Sequence, residues 1–131
     1  MLASKTRLSG FHHVKLPVSD VARSRYWWLR VLGFEADIEF VEDGVLMGVG
    51  LADAFGSVGI ALRHDPERAA ALAGFDAVAL RVPTRAEVAD WRSRLDGLGE
   101  PHGGVVTGHR GGSVLVGLHT PDGTEIRLYA D

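Results

Sequence analysis

The sequence predicts an α+β fold: two βαβββ repeats forming a cupped mixed sheet, with the helices outside. Three observations predict it. Phe11–Val18 (FHHVKLPV) and Phe75–Val82 (FDAVALRV) carry Phe, Val, Leu and Val at the same places. Each is followed by a stretch with helical spacing that ends at a glycine. The last strand-like segment of each half also matches, GIALR (Gly59–Arg63) against EIRLY (Glu125–Tyr129). Internal similarity of this kind is the mark of a duplicated unit.

The elements follow in order. Val14, Leu16 and Val18 alternate along the first strand, as do Val78, Leu80 and Val82 in its counterpart. A period of two means one buried face. The other face then carries His13 and Lys15 in the first half, and Ala77, Ala79 and Arg81 in the second. In the first helix Ser19 or Asp20 supplies the N-cap, Gly33 the stop, and Val21, Trp27 or Trp28, Val31 and Leu32 the apolar stripe. In the second helix Thr84 and Glu87 form a capping box. Val88, Trp91, Leu95 and Leu98 face inward, and Gly97 or Gly99 ends the helix.

Three strands are expected after each helix. In the first half they fall near Ala36–Val41, Val45–Gly50 and Val58–His64, with a turn at Glu42-Asp43-Gly44. In the second half they fall near Gly104–Thr107, Ser113–Leu118 and Glu125–Tyr129, with a turn at Thr120-Pro121-Asp122-Gly123. Ile60 and Leu62 match Ile126 and Leu128 on the helix side, which leaves Ala61 and Arg127 on the opposite face. Leu51–Ser57 breaks the strand pattern and reads as a loop near the cleft mouth. The organisation is then an N-terminal extension (1–10), expected to be mobile, and one domain (11–131). Within the domain the repeats lie at about 11–65 and 75–131.

Composition narrows the function. The chain has 131 residues, 46% hydrophobic and 24% charged, a formal net charge of −3 and no cysteine. The length suits one domain. Lack of cysteine removes disulfides, thiolate nucleophiles and thiolate metal sites. The charge gives no reason to expect nucleic acid or an anionic membrane as partner. No apolar run approaches the roughly 20 residues needed to span a bilayer. MLASKTRLSG has basic residues without an apolar stretch behind them, so it does not read as a signal peptide, and the protein is read as cytoplasmic. There is no P-loop, no dinucleotide-binding fingerprint and no nucleophile elbow; Gly103-Gly104 and Gly111-Gly112 open no helix and mark turns.

HHVKLPVSD with RSRYWWLRVLGF (His12–Phe34) and TPDGTEIRLY (Thr120–Tyr129) resemble the vicinal oxygen chelate superfamily, which holds glyoxalase I, extradiol dioxygenases and bleomycin-resistance proteins. The resemblance runs from about Phe11 to the end of the chain. It implies the paired βαβββ fold and a small-molecule cleft, and it leaves the reaction open, because the fold hosts isomerases, dioxygenases, thiol transferases and drug binders. Homodimers are common in the family, so a homodimer is implied too. In its metal-using members four side chains hold one divalent ion, and by motif their places here are His13, Ala61, Ala77 and Arg127. Two alanines offer no donor, and a guanidinium has no lone pair and stays charged. No cofactor is therefore expected. A two-residue slip of the last strand would bring Glu125 to the ligand place and restore the divalent ion.

By strand parity Lys15, Arg63, Arg81, Glu125, Arg127 and Tyr129 join His13 on the cleft face as candidate ligand-binding residues. His13 is the candidate catalytic base; its alternative is a structural hydrogen bond. Arg127 can grip an anion or pair internally with Glu125. Tyr129 can stack on a ligand or only cap the sheet end. Trp27 and Trp91 are expected in the core and Trp28 at the core or the cleft rim. His64, His102, His109 and His119 are expected as exposed residues of turns and strand ends. Two functions from different classes follow. One is a metal-free protein that binds a small molecule, anionic if Arg127 is free. The other is a lyase, isomerase or dioxygenase-like enzyme using His13 and Arg127, or a metal held by an unexpected ligand set. A non-catalytic subunit is a third possibility.

Overall fold

A computed structural model of the chain describes residues 5–131. The elements are β1 (Val14–Val18), α1 (Val21–Leu32), β2 (Glu35–Glu42), β3 (Val45–Ala52), β4 (Gly59–His64), α2 (Pro66–Leu72), β5 (Val78–Arg81), α3 (Arg85–Leu98), β6 (Val105–Thr107), β7 (Ser113–His119) and β8 (Glu125–Ala130). They form two four-stranded sheets with the same order, β1-β4-β3-β2 and β5-β8-β7-β6. In each, the first and last strands of the half run parallel and the remaining pairs are antiparallel. This is the expected duplicated βαβββ plan, with one difference. The halves share no ladder: β1 and β5 are both sheet edges. Of the expected N-terminal extension, residues 1–4 lie outside the described residues, and 5–10 form neither helix nor strand.

Local chemistry sets the element ends. Asp20, rather than Ser19, caps α1 by accepting from the Arg23 backbone N–H, and Gly33 closes the helix at φ +73°. That left-handed conformation costs a glycine nothing. Thr84 accepts from the Glu87 N–H and Gly99 closes α3 at φ +68°. Asp43 and Gly44 both have positive φ, so β2 and β3 join through the two-residue turn that matches strand twist. The connection between the repeats contains a helix, α2, to which the sequence reading assigned no element. Its start carries a full set of signals: Asp65 accepts from the Arg68 N–H, Pro66 occupies the first turn and Glu67 follows.

Burial fixes strand parity. Ile60, Leu62, Ile126 and Leu128 are each at most 2% exposed. Each such burial stabilises by about 1.5–3 kcal/mol. A one-residue slip would forfeit all four and bury Arg63 and Arg127 instead. Trp28 is fully buried at 0% exposure, edge-on to Phe34 and Trp27, which corrects the expectation that it could reach a cleft rim. Trp91 is only half-buried, so it is not a full core residue as expected; it borders a cavity described below.

The halves are joined through their helix ends. Arg30 on α1 donates to the Leu98 carbonyl of α3 at 3.0 Å, while Arg94 on α3 donates to the Val31 and Arg30 carbonyls of α1 at 2.9 and 3.0 Å. Each helix thus caps the other's C-terminus. Glu100 accepts from Trp27 Nε1 at 2.8 Å and from Arg30 at 3.3 Å. At the other end of α1, the Ser19 N–H donates to Asp122 at 3.1 Å. Among the described residues no helix is long and apolar enough to cross a membrane.

Candidate functional site

Three hollows lie around the two sheets, one at the seam between them and two over the faces that do not pack against helices. The first, about 350 Å³, lies at the seam where the edges of β1 and β5 meet. His13, Ala77, Ala79 and Arg81 border it, with Phe11 and Val58. The second, about 260 Å³, lies over the first sheet and is bordered by His12, His13, Ile38, Phe40, Gly50 and Ala61. The third, about 210 Å³, lies over the second sheet between Val106, His109, Val116, Arg127 and Tyr129. His13 therefore faces two hollows, Ala61 shares one with it and Ala77 the other. Arg127 and Tyr129 border neither. Lys15 and Arg63 border none of the three.

Chemistry differs sharply between the halves. The floor of the first-sheet hollow is bare: it is made by Gly50 on β3 and its pairing partner Ala61 on β4. The Ile38 side chain lies over Gly50 so closely that an added Cβ would meet its Cγ2 at 2.8 Å. Ile38 and Phe40 are about half-exposed, so this hollow has apolar walls open to solvent. The sequence predicts β2 as a strand without singling out these two residues. Their alternation with Asp37 and Glu39 was the available signal, and what it lacked was the pairing that sets them above glycines.

The second sheet carries a closed charge cluster. Arg127 Nε donates to Glu125 Oε2 at 2.7 Å, and its Nη1 lies 3.3 Å from Asp76. The same Glu125 oxygen accepts the Gly117 N–H at 3.1 Å. The hydrogen bond from Arg127 holds the Glu125 carboxyl below its ordinary value against the cost of burial, with further help from the Gly117 N–H. The Arg127 guanidinium is pushed up by Glu125 in turn and stays charged. Gly117 reaches this place because β7 breaks register between Leu115 and Leu118, leaving Gly117 at φ +73°. A bulge re-aims a backbone N–H in this way, and nothing in the sequence beyond the glycine itself announced it.

The remaining candidate cations are mostly committed. Arg63 pairs with Glu42 at 3.0 Å and Arg81 with Asp131 at 3.1 Å. Lys15 is exposed and makes no ion pair among the described residues. His13 Nδ1 lies 2.9 Å from His12 Nδ1, so one ring nitrogen donates and the other accepts. Tyr129 keeps to the face of Arg127, its hydroxyl against Gly108. His102 is not the exposed turn residue expected. Its side chain is 9% exposed; Nδ1 accepts from the Gly104 N–H, and Nε2 therefore donates to Asp96 at 2.6 Å. A histidine directly before a glycine pair can close the turn on itself, as His102 does by accepting from the Gly104 N–H.

A divalent ion needs several N or O donors converging on one point. The four places assigned by resemblance supply one, His13. Ala61 and Ala77 have methyl groups, Arg127 has only donors, and the nearest carboxylate, Glu125, is occupied by Arg127 and Gly117. These residues do not fit the group. Among the described residues no cluster of three or more His, Asp or Glu side chains is placed to hold a metal ion.

Comparison with known proteins agrees with the architecture. The sequence profile described as Glyoxalase/Bleomycin resistance protein/Dioxygenase superfamily matches residues 10–128. No curated protein matches the chain at a significant level. Among solved structures, lactoylglutathione lyase from Agrobacterium tumefaciens superposes with a TM-score of 0.75 at 17% identity, covering 95% of this chain and 96% of that one. An antibiotic binding protein from a Streptomyces species gives 0.73 at 20% identity, with 95% and 98% covered. The fosfomycin resistance protein FosX from Listeria monocytogenes gives 0.71 at 16% identity, with 95% of each chain covered. At such identities the likeness is one of fold.

Proposed function

The chain belongs to the glyoxalase/bleomycin resistance protein/dioxygenase superfamily, and we propose that it works there as a metal-independent binder of small, largely apolar molecules. The observation that carries this reading is the donor set: methyl, methyl and an ion-paired guanidinium stand at three of the four places where the resemblance puts metal ligands. The apolar hollow over the first sheet, walled by Ile38 and Phe40 above Gly50 and Ala61, supports it from the side of the ligand. Apolar walls with a few polar groups at the rim are the usual make-up of a small-molecule site. Here His12, His13 and Asp37 are those polar groups. A solved neighbour that binds an antibiotic makes the class a natural one for this fold.

The charge pattern argues for a neutral ligand over an anionic one. Arg63, Arg81 and Arg127 each have a carboxylate partner. An anion would have to displace it, at a cost comparable with what the anion gains. The enzymatic alternative, His13 acting with Arg127, needs both at one substrate, yet within one chain they border different hollows. The exposed apolar residues Val41 and Val45 at the tip of the β2–β3 hairpin, outside the hollow, support a homodimer, checked by the concentration dependence of sedimentation.

Two measurements test the proposal. Elemental analysis of protein purified without chelator should find no stoichiometric metal; one Zn, Ni, Mn or Fe per chain would overturn it. A calorimetric screen of neutral aromatic and polycyclic compounds should find saturable binding that Phe40→Ala weakens about tenfold.

A further inference from the structure

A fourth cavity, on the helix side of the seam, adjoins the first hollow, with Ser57, Val58, Leu80 and Arg81 common to both, and shares no residue with the hollows over the two sheets. It measures about 270 Å³ and is bordered by Phe34, Phe55, Val82, Trp91, Arg94 and Leu128, among others. We propose that this cavity is a second binding site, for a planar molecule of one or two aromatic rings bearing a hydrogen-bond acceptor.

Its floor is core: Phe34, Val82 and Leu128 are at most 4% exposed. Its walls are aromatic, with Trp91 half-buried on α3 and Phe55 on the loop between β3 and β4. Flat apolar groups gain most against such walls, through area and through ring contacts. The volume lies near the lower bound for ligand sites, which selects one or two rings over larger molecules.

Phe55 is the observation that points to an occupant. It is 93% exposed, yet its loop is held closed. The Asp53 carboxylate accepts from Ser57 Oγ and the Val58 N–H, both at 2.7 Å, and the Asp53 carbonyl accepts from the Gly56 N–H at 3.0 Å. A phenyl ring held in water at the rim of an apolar cavity gains nothing in the free chain. With a ring in the cavity it becomes a wall and is covered. Arg94 supplies the polar selectivity. Its Nε and Nη2 are spent on the Val31 and Arg30 carbonyls, whereas Nη1 makes no hydrogen bond among the described residues. Nη1 is then a charge-assisted donor for a carboxylate or carbonyl on the ligand. Arg81, which also borders the cavity, is committed to Asp131.

The probe for the test is 2-naphthoate, followed by equilibrium dialysis and tryptophan fluorescence. Trp27 and Trp28 are buried in the core, so a ligand-dependent change reports on Trp91. One equivalent should bind and perturb the emission. Trp91→Phe, which keeps an aromatic wall, should still bind in dialysis but lose the fluorescence change. Phe55→Ala, a surface substitution that leaves the melting temperature unchanged, should weaken binding about tenfold. Phe40→Ala, in the hollow of the proposed function, should leave 2-naphthoate binding unaltered, which separates the two sites. 2-Methylnaphthalene, which has no acceptor, should bind more weakly. No saturable uptake at millimolar probe, equal uptake by Phe55→Ala, loss in Phe40→Ala, or a fluorescence change that survives in Trp91→Phe would each overturn the site; equal affinity for the hydrocarbon would overturn the acceptor requirement.

Discussion

Arg94→Ala should destabilise the protein by about 2–3 kcal/mol, because it opens the exchange of caps that joins the two halves. Arg94 donates to the Val31 and Arg30 carbonyls and lies 5.6 Å above the Trp91 ring. Hydrogen bonds from charged donors are worth about 1.5–3 kcal/mol each when buried. The Val31 bond is partly buried and the Arg30 bond is exposed, so about 1.5 and about 0.5 kcal/mol are the fitting shares. An exposed cation–π contact adds about 0.5 kcal/mol. The cation at the C-terminus of α1 adds a few tenths by opposing the helix dipole. For a chain of this size the loss lowers the melting temperature by about 6–12 °C. Urea unfolding followed by far-ultraviolet circular dichroism measures it directly. Arg94→Lys keeps the charge but not the fork of donors, and should recover less than half. If Arg94→Ala shifts the unfolding free energy by less than about 0.5 kcal/mol, the carbonyls find water equally well and the cross-capping account of the seam is wrong.

Three further outcomes follow from the second half of the chain and from the donor set. Glu125 has a folded pKa below its ordinary value near 4.5, so its contribution is complete above that value and is lost as pH falls through the lower folded value; melts between pH 7 and 3 should show Glu125→Gln with a shallower acid decline than wild type. Gly117→Ala should cost about 2 kcal/mol or more, since φ is +73° and an added Cβ would stand 2.6 Å from the Gly103 nitrogen; an unchanged urea midpoint would mean the bulge relaxes freely. Zn²⁺, Ni²⁺ or Mn²⁺ at tenfold excess should leave the melting temperature of wild-type protein unchanged, whereas a rise of several degrees would reveal a native-state metal site.

How much of this was legible in the sequence depends on the range of the interaction that decides it. The strands, caps and turns were, because each is set by neighbours: Asp20 and Arg23, Thr84 and Glu87, Asp43 and Gly44. Parity was legible too, since Ile126 and Leu128 announce which side Arg127 must take. The helix α2 is equally local, with Asp65, Pro66 and Glu67 in order at its start. Contacts across the chain were not legible. Nothing near Arg94 names the Val31 carbonyl, 63 residues away, and nothing near Trp27 names Glu100. Nor could parity say that residues on one face would divide among separate hollows, because that depends on β1 and β5 meeting as unpaired edges.

The two halves share one pattern, and their corresponding places carry opposite chemistry. In the first half the place on β4 is Ala61, and the strand beside it carries glycines at 48 and 50, so the local surface is apolar and open. In the second half the corresponding place on β8 is Arg127, and a buried or half-buried cation is tolerated only with partners. Those partners are present on every side: Glu125 from the same strand, Asp76 from the approach to β5, and the Gly117 N–H steadying Glu125 from the bulge in β7. Reversing the change would take more than one substitution. Arg127→Glu would set a third carboxylate beside Glu125 and Asp76, and the pKa values of the group would rise until some were protonated. The arginine is thus tied into its surroundings, which is why the cluster reads as part of the scaffold and the bare hollow over the first sheet as the place where a ligand is met.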